Sequence, residues 1–111
     1  MSVTREESGD VVIVHAGPPR LMHPSLSEFS TIVTGELAQG SRKVVIDMGR
    51  VEYLDSAAIG CLMDLYRQAT AAGAILKLAG VQKRVATMLT LTGANQFLET
   101  HPDTQAAVRS F

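Results

Sequence analysis

The stretch KVVIDMGRVEYLDSAAIG, residues 43–60, decides the fold class of this chain. Its first part, KVVIDM (43–48), is a short apolar run typical of strands that are buried on both faces of a sheet. Its last part, LDSAAIG (54–60), places an acid and a hydroxyl directly before a long helical pattern. A buried strand that is followed at once by a helix indicates a parallel α/β arrangement.

The same alternation of strand and helix extends on both sides of this stretch. Further buried strands are predicted at 10–15 and 75–79, and helices at 25–39, 56–72 and 82–93. An edge strand at 2–7 should form a hairpin with 10–16, NQFLE (95–99) suggests a short edge strand, and a small C-terminal helix should follow Pro102. We therefore expect one α/β domain over residues 1–111, a small, mostly parallel mixed sheet of about four or five strands with helices packed against it.

Local residues also mark where the helices should begin and end. Ser25 and Glu28 have the spacing of a capping box at the start of the first helix, and Gly40 is placed to end it. At the start of the second helix, Asp55 or Ser56 can be the N-cap. Both residue types accept hydrogen bonds from the free amide groups of a first helical turn.

Composition limits the classes of function. The chain has 111 residues, 46% hydrophobic and 19% charged, as expected for a single globular domain. Its formal net charge of -1 gives no electrostatic case for binding nucleic acid or an anionic membrane. Cys61 is the only cysteine, which excludes an internal disulfide and favours a buried structural thiol. With no apolar signal segment and no apolar run that could span a bilayer, we expect a cytoplasmic protein.

Two loops should meet at one edge of the sheet. In a parallel sheet, the loops that follow the carboxyl ends of the strands lie along the same rim. The loops GPPRLMHP (17–24) and GRVEYLDS (49–56) each follow a predicted strand, and the small residues after them leave the helix start open to another molecule. The expected partner-binding residues are Arg20, Met22 and His23 from the first loop, and Asp55, Ser56, Ala57, Ala58, Ile59 and Gly60 from the second loop and the helix.

Ser56 has two interpretations that the residues alone leave open. It can be an ordinary helix cap. It can also be an acceptor for phosphate, because a helix N-terminus favours negative charge by about 0.3–1 kcal/mol. A phosphate there would add about -1.5 to -2 charges to the surface around it.

The run VVIDMGRVEYLDSAAIGCLMDLYRQATAAGAILKLAGV (44–81) resembles the STAS domain, and in particular the stand-alone bacterial anti-sigma factor antagonists. Two features carry the resemblance. One is the hydrophobic–Asp–hydrophobic pattern Ile46-Asp47-Met48 at the end of a strand. The other is the Asp-Ser, two small residues, aliphatic and Gly at 55–60. The resemblance implies that Ser56 is a phosphorylation site.

The resemblance also implies a partner-switching cycle. The unphosphorylated protein would bind an anti-sigma factor, a serine kinase of the histidine-kinase-like ATPase type, and so free a sigma factor. The kinase would phosphorylate the serine and break the complex, and a PP2C-type phosphatase would restore it. In this cycle the protein is a binding module and not an enzyme. ATP and metal belong to the enzymes that act on it, so no cofactor is expected.

The first loop departs from the family pattern. Members usually have Gly-Glu-aliphatic-Asp after the second strand, and this chain has Gly17-Pro18-Pro19-Arg20. Arg20 thus stands where the family has an acid, which puts the usual kinase contact in question. The alternative function is a STAS interaction subunit of a transporter or of a stress-signalling scaffold, without phosphorylation.

Two enzyme-like arrangements at the rim have weaker support. Asp47 and Asp55 could pair around Mg²⁺, but a receiver-like site needs more acids on the rim, so Asp47 is interpreted as a structural loop anchor. Ser56, His23 and an aspartate could form a hydrolase triad, but no G-x-S-x-G motif surrounds Ser56.

The remaining histidines do not indicate a metal site. His15 and His101 have no ligand spacing with each other or with Cys61. We expect them to be ordinary strand and loop residues, and we predict no metal ligands.

Overall fold

The computed structural model describes residues 3–111. The strands are β1 (Val3–Ser8), β2 (Val11–Ala16), β3 (Arg20–Leu21), β4 (Lys43–Asp47), β5 (Tyr53–Leu54), β6 (Ile75–Ala79) and β7 (Glu99–His101). The helices are α1 (Ser25–Ala38), α2 (Ser56–Ala71), α3 (Lys83–Thr92) and α4 (Thr104–Arg109), with a 3₁₀ turn at Ala94–Gln96. The predicted α/β class is confirmed.

Five strands form the main sheet, in the order β1-β2-β4-β6-β7. β1 pairs antiparallel with β2, as predicted for the hairpin, although the first residue of the predicted strand, Ser2, lies outside the described residues. The other neighbours pair in parallel, for example Val12 with Val44 and Val44 with Leu76. The sheet is therefore mixed but mostly parallel, and its parallel strands all end at the same edge.

The two faces of the sheet are covered unequally. One face packs against α1, α2 and α3 and forms the main core, which includes Val14, Ile46 and Leu62. On the opposite face a smaller cluster, which includes Val45 and Ala107, lies between the sheet and α4. Because β2, β4 and β6 are covered on both faces, their sequences are continuous apolar runs and do not alternate.

The start of α1 differs from the prediction. Ser25 is the first helical residue and Pro24 occupies the N-cap position without a side-chain hydrogen bond, so the capping box with Glu28 does not form. The amide of Leu26 instead donates to the Met22 carbonyl at 3.0 Å. A backbone turn thus satisfies one of the free amide groups at the start of this helix.

The end of α1 follows the prediction. Gly40 has a positive φ of 96° and its amide donates to the Leu37 carbonyl. The next amide, that of Ser41, donates to the Glu36 carbonyl. These two bonds form a Schellman motif, in which glycine is the residue that adopts the left-handed conformation at least cost.

The last strand is shifted from its predicted position. The sequence predicts a strand at 95–99, but this segment contains the 3₁₀ turn, and β7 begins only at Glu99. Pairing with β6 sets the position of the strand, with Leu78 opposite Thr100. The apolar character of the segment has a different cause, since Leu98 is buried in the main core.

Candidate partner-binding surface

A two-stranded parallel sheet joins the two predicted rim loops. β3 pairs with β5, with Arg20 opposite Tyr53 and Leu21 opposite Leu54. Leu21 and Leu54 are buried in the main core, which fixes both loops against the body of the domain. The loops therefore share one edge of the molecule, as predicted. The two strands themselves are missed by sequence analysis, because two residues are too few to show a period.

A backbone carbonyl forms a second link between the loops. The carbonyl oxygen of Pro19 accepts hydrogen bonds from the amides of Glu52 at 2.6 Å and Tyr53 at 3.1 Å. Because proline has a restricted φ, consecutive prolines at 18 and 19 hold this acceptor in place with little further loss of chain entropy.

Asp55 is the N-cap of α2. Its backbone is extended, with φ -92° and ψ 177°, and its Oδ1 accepts a hydrogen bond from the Ala58 amide at 2.8 Å. Of the two cap candidates, the structure thus identifies Asp55. Ser56 is the first helical residue, its side chain is exposed, and its hydroxyl makes no hydrogen bond within the part of the chain that the structure describes.

The first turn of α2 presents some of its small residues and buries others. Ala57 and Gly60 are exposed, and Ile59 is half-buried against the main core. Ala58 is fully buried. The prediction that Ala58 contributes to a partner-binding surface is therefore wrong for its side chain, because the helical period turns this position toward the sheet.

The first loop contributes an arginine that stacks on an aromatic ring. The guanidinium carbon of Arg20 lies 5.7 Å from the centroid of the Tyr53 ring, a cation–π contact across the small sheet. Arg20 and His23 are exposed, and Met22, which was expected to bind a partner, is half-buried. Tyr53, three residues before Ser56, adds an exposed ring to this surface that sequence analysis did not single out.

Asp47 anchors the loop that leads to α2. Its Oδ1 accepts a hydrogen bond from the Gly49 amide at 2.9 Å, and its Oδ2 lies 2.6 Å from Nδ1 of His15. Both carboxylate oxygens of Asp47 are thus engaged, and Oδ1 of Asp55 is engaged as the cap of α2. Within residues 3–111, no three potential metal-ligating side chains form a group.

His15 links three strands and is not the ordinary strand residue that was predicted. Its Nε2 lies 2.5 Å from Oε1 of Glu6 on β1, while Nδ1 faces Asp47 on β4. Partial burial lowers the pKa of His15, but the hydrogen bonds to the two carboxylates outweigh it, so the pKa is raised above its ordinary value. His101, which was predicted to be a loop residue, ends β7 and bonds Glu99.

Ser56 and Cys61, near the start of α2, are side chains of the kind that can act as nucleophiles. Neither has an activating partner within residues 3–111. Ser56 has no hydrogen bond to a histidine there, and the carboxylate of Asp55 is used by the helix cap. Cys61 is half-buried beside the main core, and this burial raises the pKa of its thiol. A thiol with a raised pKa is mostly protonated near pH 7 and is a weak nucleophile.

A family model of the STAS domain matches residues 2–107. The chain belongs to the STAS domain family. A comparison of its sequence with curated proteins finds no match. Across residues 3–111, this STAS domain has no helix that is long and apolar enough to cross a membrane.

Solved structures share the fold of this STAS domain. An anti-sigma factor antagonist from Mycobacterium paratuberculosis has a TM-score of 0.85 at 17% identity, over 97% of this chain and 91% of that one. The Bacillus cell fate determinant SpoIIAA, in its phosphorylated form, has a TM-score of 0.75 at 14% identity, over 98% and 99%. A sulfate transporter family protein from Wolinella succinogenes has a TM-score of 0.74 at 20% identity, over 95% and 87%. At these identities the likeness shows the fold alone.

The start of α2 in this STAS domain can take an added group without losing a described contact. The cap is made by Asp55 and does not depend on the Ser56 hydroxyl. A phosphate on Ser56 would therefore leave the cap intact. Its main effect would be on the surface, where it adds about -1.5 to -2 charges.

Proposed function

We propose that this STAS domain is an anti-sigma factor antagonist whose binding to its partner is switched by phosphorylation of Ser56. One observation carries the proposal. Asp55 caps α2, which leaves the exposed Ser56 hydroxyl free to accept a phosphoryl group. The shared fold with SpoIIAA, described in an unphosphorylated and a phosphorylated form, supports this role.

The proposed cycle has one binding step and two chemical steps. The unphosphorylated domain binds an anti-sigma factor of the histidine-kinase-like ATPase type, and a sigma factor is released. The bound kinase transfers the γ-phosphoryl group of ATP to Oγ of Ser56, while the hydroxyl proton passes to a base of the kinase and ADP leaves. A PP2C-type phosphatase then hydrolyses the phosphoserine. The STAS domain is a substrate and binding module here, and we place the cycle in the cytoplasm.

Phosphorylation would break the complex through charge. The surface that faces the partner consists of Arg20, Met22, His23 and the first turn of α2 without the buried Ala58. A charge that is buried at an interface without a partner costs several kcal/mol, and each 1.4 kcal/mol is a factor of about ten in affinity. An exposed pair with Arg20 would offset only about 0.2–1 kcal/mol of this cost, so a phosphate in the centre of this surface is sufficient to release the partner.

Mass spectrometry of the protein from its native cells tests the proposal. We expect a tryptic phosphopeptide whose phosphate is on Ser56. A chain with Ser56→Ala, expressed in the same cells, should lack this phosphate and remain folded. If wild-type protein from growing and from stressed cells carries no phosphate on Ser56, the proposed switch is excluded.

A second candidate function is an interaction subunit of a transporter or of a stress-signalling scaffold that is not phosphorylated. Two observations favour it: Arg20 occupies the position where the family usually has an acid, and the fold is shared with a sulfate transporter family protein. Neighbouring genes for an ATPase-type kinase and a PP2C phosphatase would favour the switch. Neighbouring genes for permease components would favour the subunit.

A further inference from the structure

Four exposed cations at the carboxyl end of the sheet have no ion-pair partner within the described part of the chain. They are Arg20, Arg50, Lys83 and Arg84. Of the other lysines and arginines, Arg5, Lys43 and Lys77 form ion pairs with Glu36, Asp10 and Glu99, whereas Arg42, Arg67 and Arg109 form none among the described residues but are not grouped at this edge. We call the four residues at the carboxyl end of the sheet the basic rim.

Contacts between three loops bring the basic rim together. Nε2 of Gln82, the residue before Lys83, donates to the carbonyl of Gly49, the residue before Arg50, at 2.9 Å. Gly80 packs so closely on this loop that a Cβ on it would lie 3.3 Å from Cα of Gly49. The pairing of β3 with β5 also joins the loop 17–24, which contains Arg20, to the loop that contains Arg50.

Few carboxylates oppose these cations. In the loops 17–24, 48–55 and 80–84, Glu52 and Asp55 are the acidic residues, and Asp55 is engaged as the cap. Asp47, at the end of β4, has both oxygens occupied. Glu28 and Asp103 stand near the starts of α1 and α4, at the margins of this end of the sheet. Four cations thus face two carboxylates, on a chain whose formal net charge is -1.

We propose that the basic rim docks on an acidic surface of the partner protein, and that a phosphate on Ser56 weakens this docking by cancelling the charge of the rim. This inference rests on the proposed function and adds the chemistry of the partner. Charge complementarity carries it, because exposed guanidinium groups bind carboxylates with paired hydrogen bonds. The exposed ring of Tyr53 and the half-buried Ile59 give the same surface the apolar component of a protein interface.

The charge balance favours a protein over a nucleic acid as the occupant. Outside the rim the chain carries an excess of negative charge, which opposes long-range attraction to a polyphosphate.

The charge balance of the rim also accounts for the effect of phosphorylation on docking. A phosphoserine carries about -1.5 to -2 charges, which would bring the three loops from about +2 to about zero.

An NMR titration with a defined acidic probe tests the proposal. The probe is a dodecapeptide of alternating glutamate and alanine with blocked termini. It is compared with its lysine counterpart and with heptathymidylate, which has the same number of negative charges. The acidic peptide should shift the amide signals of the basic rim in ¹⁵N-labelled protein. Its binding should weaken as NaCl is raised from about 0.05 to about 0.2 M. The lysine peptide should cause no shift there.

Substitutions test which side chains bind the acidic peptide. Arg50→Gln and Lys83→Gln should each weaken binding of the acidic peptide by up to about fivefold, the range of exposed ion pairs. Ser56→Asp should weaken it by a similar factor. The matched control is Arg67→Gln, an exposed arginine on α2 about 16 Å along the helix from Ser56, which should leave the affinity unchanged.

Three results would overturn the proposal: no shift at the rim, shifts confined to other residues, or tighter binding of heptathymidylate than of the acidic peptide. Other results would distinguish a failure of the proposed function from a failure of this inference. An anti-sigma factor that binds with an affinity insensitive to salt and to Arg50→Gln would leave the antagonist role standing and refute the acidic partner. Binding of the acidic peptide at the rim of a chain that no anti-sigma factor binds would refute the antagonist role instead.

Discussion

Asp55 and Ser56 divide two tasks at the scale of single residues. Asp55 accepts the Ala58 amide and so stabilises the start of α2, while Ser56 keeps an exposed hydroxyl. The sequence predicts that one of the two is the cap but not which one, because aspartate and serine are almost equally good caps. The choice depends on which residue has the extended backbone, and the pairing of β5 with β3 just before it fixes the chain there.

This division predicts different stability effects for the two neighbours. Asp55→Ala should lower the free energy of unfolding by about 1 kcal/mol, the usual cost of losing an N-cap. Asp55→Asn, which keeps an acceptor oxygen, should lower it less. Ser56→Ala should change it by less than about 0.5 kcal/mol. Urea titrations of the purified variants measure these values, and a cost for Ser56→Ala equal to that for Asp55→Ala would show that the hydroxyl is engaged.

Arg20 should alter the response of the fold to phosphate on Ser56. It lies opposite Tyr53, three residues before Ser56, so a phosphate there should gain an attraction of about 0.2–1 kcal/mol, typical of an exposed pair. In Arg20→Asp the attraction becomes a repulsion. Phosphorylation should therefore lower the melting temperature of Arg20→Asp relative to its effect on wild type, by up to a few degrees. The difference should shrink in 1 M salt, where the Debye length is about 3 Å. Identical shifts in both backgrounds would mean that Arg20 does not interact with the site.

At the scale of secondary-structure elements, contacts between distant segments decide what the sequence alone cannot predict. The end of α1 is predictable because Gly40 is a local signal. The start of α1 is not, because Pro24 occupies the N-cap position without a side-chain bond, and the Leu26 amide donates to the Met22 carbonyl. The link from His15 to Glu6 and Asp47 is likewise formed across three strands, and it depends on the register of β1, β2 and β4.

This link between strands predicts a pH dependence of stability. The pKa of His15 is raised in the folded state, so the stabilisation is fully present below the unfolded value of 6.5 and is lost as the pH rises through the higher folded value. The imidazole side chain is 31% exposed, which limits the effect to about 0.2–1 kcal/mol. Urea titrations between about pH 6 and pH 9 should show wild type losing more stability than His15→Gln. Parallel pH curves for the two proteins would contradict this account.

At the scale of the whole molecule, one edge of the sheet collects the residues proposed to bind a partner. The sequence predicts this edge, because loops after parallel strands meet at the carboxyl end of a sheet. It does not predict that Tyr53 and Arg20 stack, or that Gln82 bonds Gly49 between the second and third of these loops. Those contacts join segments far apart in sequence, and no local period reports them. The sequence also does not predict that Ala58 is buried, because a small residue fits equally well on a surface or in a core.

The face of the sheet that packs against α4 has only a small apolar cluster, so we expect the stability of the fold to depend on Phe111 at its C-terminus. The Phe111 ring packs against the small cluster beneath α4, and Nζ of the buried Lys77 lies 4.3 Å from the ring centroid. Phe111→Ala should lower the free energy of unfolding by about 1–2 kcal/mol, because it removes this apolar cover and the cation–π contact. Leu91→Ala is the matched control, since this side chain is 81% exposed, and it should change stability by less than about 0.5 kcal/mol. Equal effects of the two substitutions in chemical denaturation would show that Phe111 does not stabilise the sheet.

The most direct test of the central claim, that phosphate on Ser56 controls partner binding, is the affinity of defined forms of the chain for the histidine-kinase-like ATPases of its host, measured by calorimetry. We expect wild type and Ser56→Ala to bind one of these proteins with similar affinity. The phosphorylated form should bind it at least about 100-fold more weakly, because an uncompensated charge at an interface costs several kcal/mol. Ser8→Asp should bind like wild type, because Ser8 lies on β1 opposite Val11, at the end of β2 that is far from the rim loops. Equal affinities of the wild-type, Ser56→Ala and phosphorylated forms would contradict the account.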